Sequence, residues 1–267
     1  MNVDELRASR ERFLSLAREF APYVVAERDG LLFVVPTDDP TLGKLFVRRE
    51  KHKERAVLLR ALDRLDEAGS PVRRGTFVDV GANVGTTAFA ALEAGFASVL
   101  AFEPVPRTFR LLRANLALNG AEDAVRARRL AISDERGTLR MDVAQGSRKA
   151  RLDAAGGEEV EVARLDDVVE GEIDLLLVDA EGHEVQVLAG GERVLSSGVP
   201  LVVELNPKLL DLAGRIDELP GLLARHYTHV LDLRDRGASF VPVDGVLDLI
   251  EEYAGRSTDL LAMRAGG

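Results

Sequence analysis

Asp179, Glu181 and His183 alternate along the segment VDAEGHE, and each can bind or move a proton. An imidazole titrates near neutral pH, which makes His183 the first candidate for a general base acting on a hydroxyl nucleophile, with Glu181 and Asp179 as further catalytic candidates. A plainer role is open to each: His183 as a surface residue at a helix start, and Glu181 as an acid stabilised by the helix N-terminus. With Glu204 of PLVVELNP the same three would form an oxygen-rich set with one imidazole, of the kind magnesium or manganese accepts. Their spacing follows no established ligand motif, so no metal is assigned.

Upstream, TFVDVGANVGTTAFAALEAG reads as a buried strand, a tight loop and a helix. Gly81 and Gly85 let backbone come close to a ligand, and Thr86 or Thr87 can cap a helix that runs to Gly95. This is the geometry of a nucleotide site. A dinucleotide fingerprint needs G-x-G-x-x-G, and counted from Gly81 its second and third glycines are replaced by Asn83 and Thr86. A nicotinamide cofactor's pyrophosphate would be crowded there, which leaves a nicotinamide-dependent oxidoreductase as the disfavoured alternative. S-adenosylmethionine carries no phosphate; its loop has only to admit a methionine arm and a ribose, and Asp79 at the strand end suits the ammonium and sulfonium side. Glu103, in SVLAFEP, follows the glycine loop at about the interval, ~20 residues, at which an acidic residue reaches a ribose diol.

These residues need a scaffold that brings them together. From Gly75 onward short apolar segments, TFVDV, SVLAFE, VRARRLAI, IDLLLVDA and PLVVEL, alternate with helical stretches. Such alternation predicts a doubly wound, mostly parallel α/β sheet with ligands bound beyond the carboxyl ends of its strands. The site is therefore expected in the loops after Val80, Phe102, Ile132, Val178 and Val203. Between residues 133 and 169 the helix is missing, and GTLRMDV and EVEVARL read as an inserted β-hairpin with a long mobile tip, AQGSRKARLDAAGG. YTHVLDL, ASFVPV and STDLLAM read as further strands, antiparallel and closing one edge. Residues 1–72 read as an N-terminal extension that covers substrate, and residues 73–267 as the cofactor-binding domain. Within the extension, Leu6, Phe13, Leu16, Ala17 and Phe20 predict an amphipathic helix covering something downstream, residues 31–35 a strand, and Val57, Leu58, Ala61, Leu62 and Leu65 a helix from about residue 51 to 68.

The chain has 267 residues, 46% hydrophobic and 30% charged, enough for one substantial core with an appended segment. Its formal charge of -10 repels phosphate backbones, and with no Trp and three Tyr it offers little stacking surface, so nucleic acid is not expected as a partner. No run approaches the ~18 apolar residues of a membrane span, and MNVDELRASRERF lacks the apolar centre of a secretory signal; a cytoplasmic protein without a membrane partner is expected. Without cysteine, chemistry must use oxygen and nitrogen groups. The basic run at residues 48–55 reads as a solvated helix face, and His52, His226 and His229 as surface or structural residues. Monomer and homodimer are both compatible with this composition.

FVDVGANVG, AFEPVPRTFRLLRANLALNG, LAISDERGTL and IDLLLVDAEGHEVQVLAGG, within residues 76–205, resemble the successive motifs of FkbM-type methyltransferases. The resemblance implies a Rossmann-like class I methyltransferase fold that binds S-adenosylmethionine and usually methylates a hydroxyl oxygen, so a small-molecule, sugar or natural-product acceptor is expected. Carried over by motif, the cofactor-binding residues are Asp79, Gly81, Ala82, Asn83, Gly85, Thr86, Thr87, Glu103, Pro104, Ile132, Ser133 and Asp179. Of these, Asp79, Gly81, Asn83 and Gly85 would line the methionine end, Glu103 the ribose, and Ile132 with Ser133 the adenine. Many relatives carry a lysine two residues before the aspartate of the fourth-strand motif, where this chain has Leu177; if that lysine shapes the substrate pocket, the substrate differs here. A retained cofactor fold serving as a binding scaffold without turnover is the non-enzymatic alternative.

Overall fold

A computed structural model describes residues 3–39, 42, 53–142, 151–152 and 157–264. The extension runs from helix α1 (Val3–Ala17) through the hairpin β1 (Tyr23–Arg28) and β2 (Leu31–Pro36) to helix α2 (Lys53–Glu67). Then follow β3 (Thr76–Val80), α3 (Thr86–Glu93), β4 (Ser98–Phe102), α4 (Pro106–Leu118), β5 (Val125–Arg128), β6 (Ala131–Ser133), β7 (Gly137–Asp142), β8 (Arg151–Leu152) and β9 (Glu158–Arg164). The remainder is α5 (Leu165–Val168), β10 (Leu175–Val178), α6 (Glu184–Ala189), α7 (Glu192–Ser196), β11 (Leu201–Leu205), α8 (Pro207–Leu212), α9 (Leu219–His226), β12 (His229–Asp232), β13 (Val241–Pro242), α10 (Val246–Glu252) and β14 (Thr258–Met263).

Eight strands form one sheet in the order β13-β12-β14-β11-β10-β3-β4-β5. From β11 to β5 all neighbours pair in parallel, whereas β14 lies antiparallel between β11 and β12. The chain winds outward from β3 to β5, then returns to β10 and winds the other way. This is the doubly wound, Rossmann-like architecture, and its switch point lies beyond the carboxyl ends of β3 and β10, where neighbouring crossovers diverge and leave a crevice. No helix among the described residues is long and apolar enough to cross a membrane.

The central strands are covered on both sides, so successive side chains enter two different cores. Phe77, Leu175, Leu177, Val202 and Leu261 face one core, filled by Leu58 and Leu62 of α2, Phe89 of α3 and Leu112 of α4. Val78, Val80, Leu176, Val178 and Val203 face the other, with Val185, Leu195 and Leu223 from α6, α7 and α9. By the same alternation Asp79 lies on the face of Phe77, the side covered by α2. The extension shares this core: Phe33 meets Phe89 edge-on, with centroids 5.5 Å apart.

Three expectations are corrected. Helix α1 forms, yet Phe13, Leu16 and Phe20 are exposed, so its apolar stripe does not cover the core. VRARRLAI is two strands rather than one: β5 stays in the main sheet, while β6 leaves it to pair in parallel with β9. The expected hairpin, β7 against β9, is thereby part of a second sheet of order β6-β9-β7-β8, whose inner face joins Ala131, Met141, Val160 and Val162 in a small core of its own. Most of the hairpin tip lies outside the described residues, as do His52 and residues 48–52 of the basic run; Arg55 of that run pairs with Glu93 at 2.6 Å.

Asn115, fully buried on α4, accepts a hydrogen bond from the Val34 amide (2.7 Å) and donates to the Val84 carbonyl (2.9 Å). One side chain thus ties the extension's hairpin and the loop after β3 to a single helix. Asn115→Leu leaves both backbone groups without that partner and is expected to lower stability by ~2–4 kcal/mol. An unchanged urea midpoint would show that the tie contributes nothing.

Candidate active site

Beyond the carboxyl ends of β3, β4 and β10 a single pocket is walled by residues far apart in sequence. The loop after β3 contributes Gly81, Ala82 and Asn83, and the first turn of α3 contributes Thr86 and Thr87. Glu103, Pro104 and Val105 come from the end of β4, and Leu130, Ala131 and Ile132 from β6 and the residue before it. Asp179, Ala180, Glu181 and His183 follow β10, facing Met141, Leu177 and, from α2, Glu54. Of the residues carried over by motif, Asp79, Gly85 and Ser133 stand behind this wall. Glu54 and Met141 lie outside the family motifs, and Val105, Leu130 and Ala131 lie within them without having been assigned to the cofactor.

The loop owes its shape to three left-handed residues, Gly81, Asn83 and Gly85 (φ 90, 51 and 96°). A Cβ on Gly81 would lie 1.9 Å from the Asp179 carbonyl oxygen, so the loops after β3 and β10 touch only because residue 81 has no side chain. Neither threonine caps α3: its N-cap is Gly85, and the helix ends at Glu93. Its first turn therefore has no side-chain acceptor at the N-cap and lines the pocket through Thr86 and Thr87, an arrangement suited to a carboxylate.

Glu103 is buried, and its two oxygens accept hydrogen bonds from the amides of Asn83 (3.0 Å) and Val105 (2.9 Å). Burial pushes its carboxyl up to about 7 against the pull of those two amides. Asp79 is 1% exposed, and neither of its oxygens has a hydrogen-bond partner. Its carboxyl is likewise pushed up to about 7, by burial first and by the Glu54 carboxylate second. Across the sheet Asp79 stands in register with Leu177. An apolar side chain is thus the lateral neighbour of this orphan carboxylate.

His183 Nε2 lies 3.0 Å from Ser133 Oγ, and Ser133 Oγ donates to Asp134 Oδ1 at 3.2 Å. If the serine proton is so used, Nε2 is the donor to Ser133 and Nδ1 keeps the basic lone pair. Burial holds the imidazole down to about 4, with Asp134 opposing the shift and Arg215 adding to it. His183 is therefore neutral at physiological pH. The acid that supports the helix start is Glu184 rather than Glu181: fully buried, it accepts from the amides of Ala180 (2.9 Å) and Gly182 (3.1 Å). Glu181 sits on the pocket wall at φ 50°, a backbone state costly for a residue with a side chain and associated with functional loops. The oxygens that converge within 4.8 Å of one another belong to Asp179, Glu184 and Glu204, not to the set with Glu181 and His183 that the alternation of residues suggested. Burial, with Glu181 and Glu184 nearby, pushes the Glu204 carboxyl up to about 7. His226 and His229 lie off the pocket, His226 3.3 Å from Glu192.

The model of the methyltransferase FkbM domain family matches residues 79–237, from the orphan aspartate to the far edge of the sheet. The chain belongs to the FkbM methyltransferase family. Two curated relatives are similar to this FkbM-family chain. The 31-O-demethyl-FK506 methyltransferase FkbM of Streptomyces tacrolimicus is 34% identical over 200 residues, covering 59% of this chain and 74% of the relative. The hexuronic acid methyltransferase AglP of Haloferax volcanii is 33% identical over 136 residues, 48% of this chain and 54% of the relative. Among solved structures, a methyltransferase FkbM from Methylobacillus flagellatus superposes with a TM-score of 0.48 at 17% identity, covering 72% of this chain and 44% of that one.

Asp79, Glu103, Glu184 and Glu204 all bind protons more tightly in the folded chain than in the unfolded one. A raised carboxyl favours the folded state while protonated, so this stability is present below the ordinary carboxylate range and is lost as pH rises towards 7. The melting temperature of the ligand-free protein is expected to fall from about pH 4.5 to about pH 7 and to level above that. Asp79→Asn, or Leu177→Lys placing a cation across from Asp79, should shrink that fall. A pH dependence identical in both variants and wild type would remove Asp79 as its source.

Proposed function

We propose that this FkbM-family chain transfers a methyl group from S-adenosylmethionine to a hydroxyl oxygen of a small molecule, sugar or natural product. Glu103 carries the proposal. After accepting one backbone hydrogen bond, each of its oxygens keeps a lone pair for a hydroxyl donor, which suits a ribose diol. The apolar wall of Leu130, Ala131 and Ile132 suits an adenine, and the uncapped start of α3 suits the carboxylate of a methionine arm. These residues fit the cofactor on their own chemistry. The two relatives, a 31-O-demethyl-FK506 methyltransferase and a hexuronic acid methyltransferase, support an oxygen or sugar acceptor.

When bound, the cofactor supplies a methyl group on a sulfonium that is already a good leaving group, so the chain's main task is positioning. Asp179, Glu181 and His183 form the wall on which an acceptor hydroxyl would rest. Neutral His183 accepts that hydroxyl's hydrogen bond and orients its lone pair, and the adjacent carboxylates favour departure of the proton.

Calorimetric titration with S-adenosylhomocysteine, with NAD in parallel, tests the cofactor. Binding of the first alone is expected, weakened ~10–100-fold by Glu103→Ala. Failure of the intact protein to bind S-adenosylhomocysteine would sink the proposal, and binding without turnover on any acceptor would favour a scaffold. For turnover, kcat/KM level from about pH 8 to about pH 5 is expected if His183 is the base, since its pKa is about 4. An acid limb near 7 would move that role to a carboxylate raised by burial, such as Glu204.

A further inference from the structure

A hydrogen-bonded chain runs from His183 away from the pocket to the protein surface. The imidazole is part of the pocket wall, whereas Ser133 at the end of β6 and Asp134 after it are not. His183 Nε2 lies 3.0 Å from Ser133 Oγ, and Ser133 Oγ donates to Asp134 Oδ1 at 3.2 Å. Arg215 Nη1 donates to the other oxygen of Asp134 at 3.2 Å, and Nη2 of the same guanidinium donates to Glu218 at 2.8 Å. Three segments distant in sequence, the loop after β10, the end of β6 and the stretch between α8 and α9, thus meet behind one ring nitrogen. Each member has a plainer role. The Asp134–Arg215 pair joins two loops, but its side chains are 34% and 27% exposed, and ion pairs so open to water add little stability. Ser133 is buried where Gly190 presses on it, a contact made by its backbone carbonyl that requires no hydroxyl. Neither role accounts for a hydroxyl set between a carboxylate and the ring.

We propose that Ser133, Asp134 and Arg215 are positioning residues that hold His183 in its Nε2–H tautomer and so offer Nδ1 to the hydroxyl of the methyl acceptor. The proposal rests on the methyl-transfer reading and deepens it, moving Ser133 from the adenine to the far side of the histidine. A serine hydroxyl has a single proton. Given to Asp134, that proton is not available to the ring, so the ring is the donor at Nε2 and Nδ1 is left as an acceptor. Among the described residues Nδ1 has no hydrogen-bond partner. Asp134 draws a proton towards His183 and Arg215 opposes it, so the pair directs the serine without charging the ring. In hydrolytic triads a carboxylate sets the tautomer of a histidine by direct contact; here it acts through a hydroxyl. The acceptor's proton goes to Nδ1 as its oxygen bonds the methyl carbon, and the pair of the broken C–S bond stays on sulfur. Nε2–H remains bonded to Ser133 throughout.

Nitrogen-15 spectra of histidine-labelled protein near neutral pH, with His183→Gln to assign the signal, read which ring nitrogen carries the proton. The wild type is expected to be protonated at Nε2. Asp134→Ala removes the serine's acceptor, so the hydroxyl turns to the ring and the signal is expected to switch to the Nδ1–H form. In a Ser133→Ala background the same change at residue 134 is expected to leave the tautomer as it was, because the carboxylate has no other hydrogen-bonded route to the ring. Calorimetric titration with S-adenosylhomocysteine, expected to give the wild-type affinity for each variant, reports that the fold is intact and separates this role from an adenine contact. A wild-type ring protonated at Nδ1 would overturn the proposal, as would an unchanged tautomer in an Asp134→Ala protein that binds S-adenosylhomocysteine normally. Weakening of that ligand by ~10-fold or more in Ser133→Ala would return the serine to the cofactor and overturn it too. Wild-type protein that does not bind S-adenosylhomocysteine would remove the methyl-transfer reading, and with it the role given to this chain, whatever the tautomer.

Discussion

Carboxylates held out of water at the ends of parallel strands are the constraint around which this molecule is built. Asp79, Glu103, Glu184 and Glu204 lie at or beside the carboxyl ends of adjacent strands, each with its proton affinity raised chiefly by burial. An isolated charge is costly to desolvate, so each must be met by backbone amides, a proton or a cation. Glu103 and Glu184 are met by amides from the loops they organise. Asp79 is met by none, and that difference separates it from the carboxylates that organise the pocket's loops. Sites of function commonly hold such stored cost, because binding relieves it.

Backbone contact makes the arrangement compact. The approach of residue 81 to the Asp179 carbonyl leaves no room for a side chain, so the glycine loop and the loop bearing Glu181 and His183 lie in direct contact. A second close approach sets the far side: a Cβ on Gly190 would lie 2.0 Å from the Ser133 carbonyl oxygen, which seats the end of α6 against β6. Ser133 is thereby brought within hydrogen-bonding distance of His183, whose burial leaves it neutral. A histidine chosen for its ordinary titration range becomes, in its place in the fold, a weak base.

Much of this was legible in the chain itself, for local reasons. Strand and helix periodicity depends on near neighbours, so the alternating core, the helix of α2 and the antiparallel closing strands follow from spacing. Gly81 and Gly85 with Glu103 mark the pocket because a tight loop and a strand-end acid stand at an interval set by one strand–helix–strand unit. The FkbM motifs rest on the same short segments.

Only the tertiary structure decided the rest, because it depends on what stands opposite. Periodicity shows that α1 has an apolar stripe but not that Phe13 and Leu16 stay in water. It cannot tell that β5 and β6 part into different sheets, since the rival ladder with β9 is formed by residues ~30 positions away. Glu184 rather than Glu181 supports the helix start, and Glu204 rather than His183 joins Asp179, because side-chain direction and burial follow from packing and not from order. Sequence alone placed Glu54 in a charged helix and Leu177 in an apolar strand; the fold set one on the pocket wall and the other beside Asp79. Charge, position and type are written in the chain, but the dielectric around a carboxylate and the identity of its neighbour exist only once distant segments have packed together.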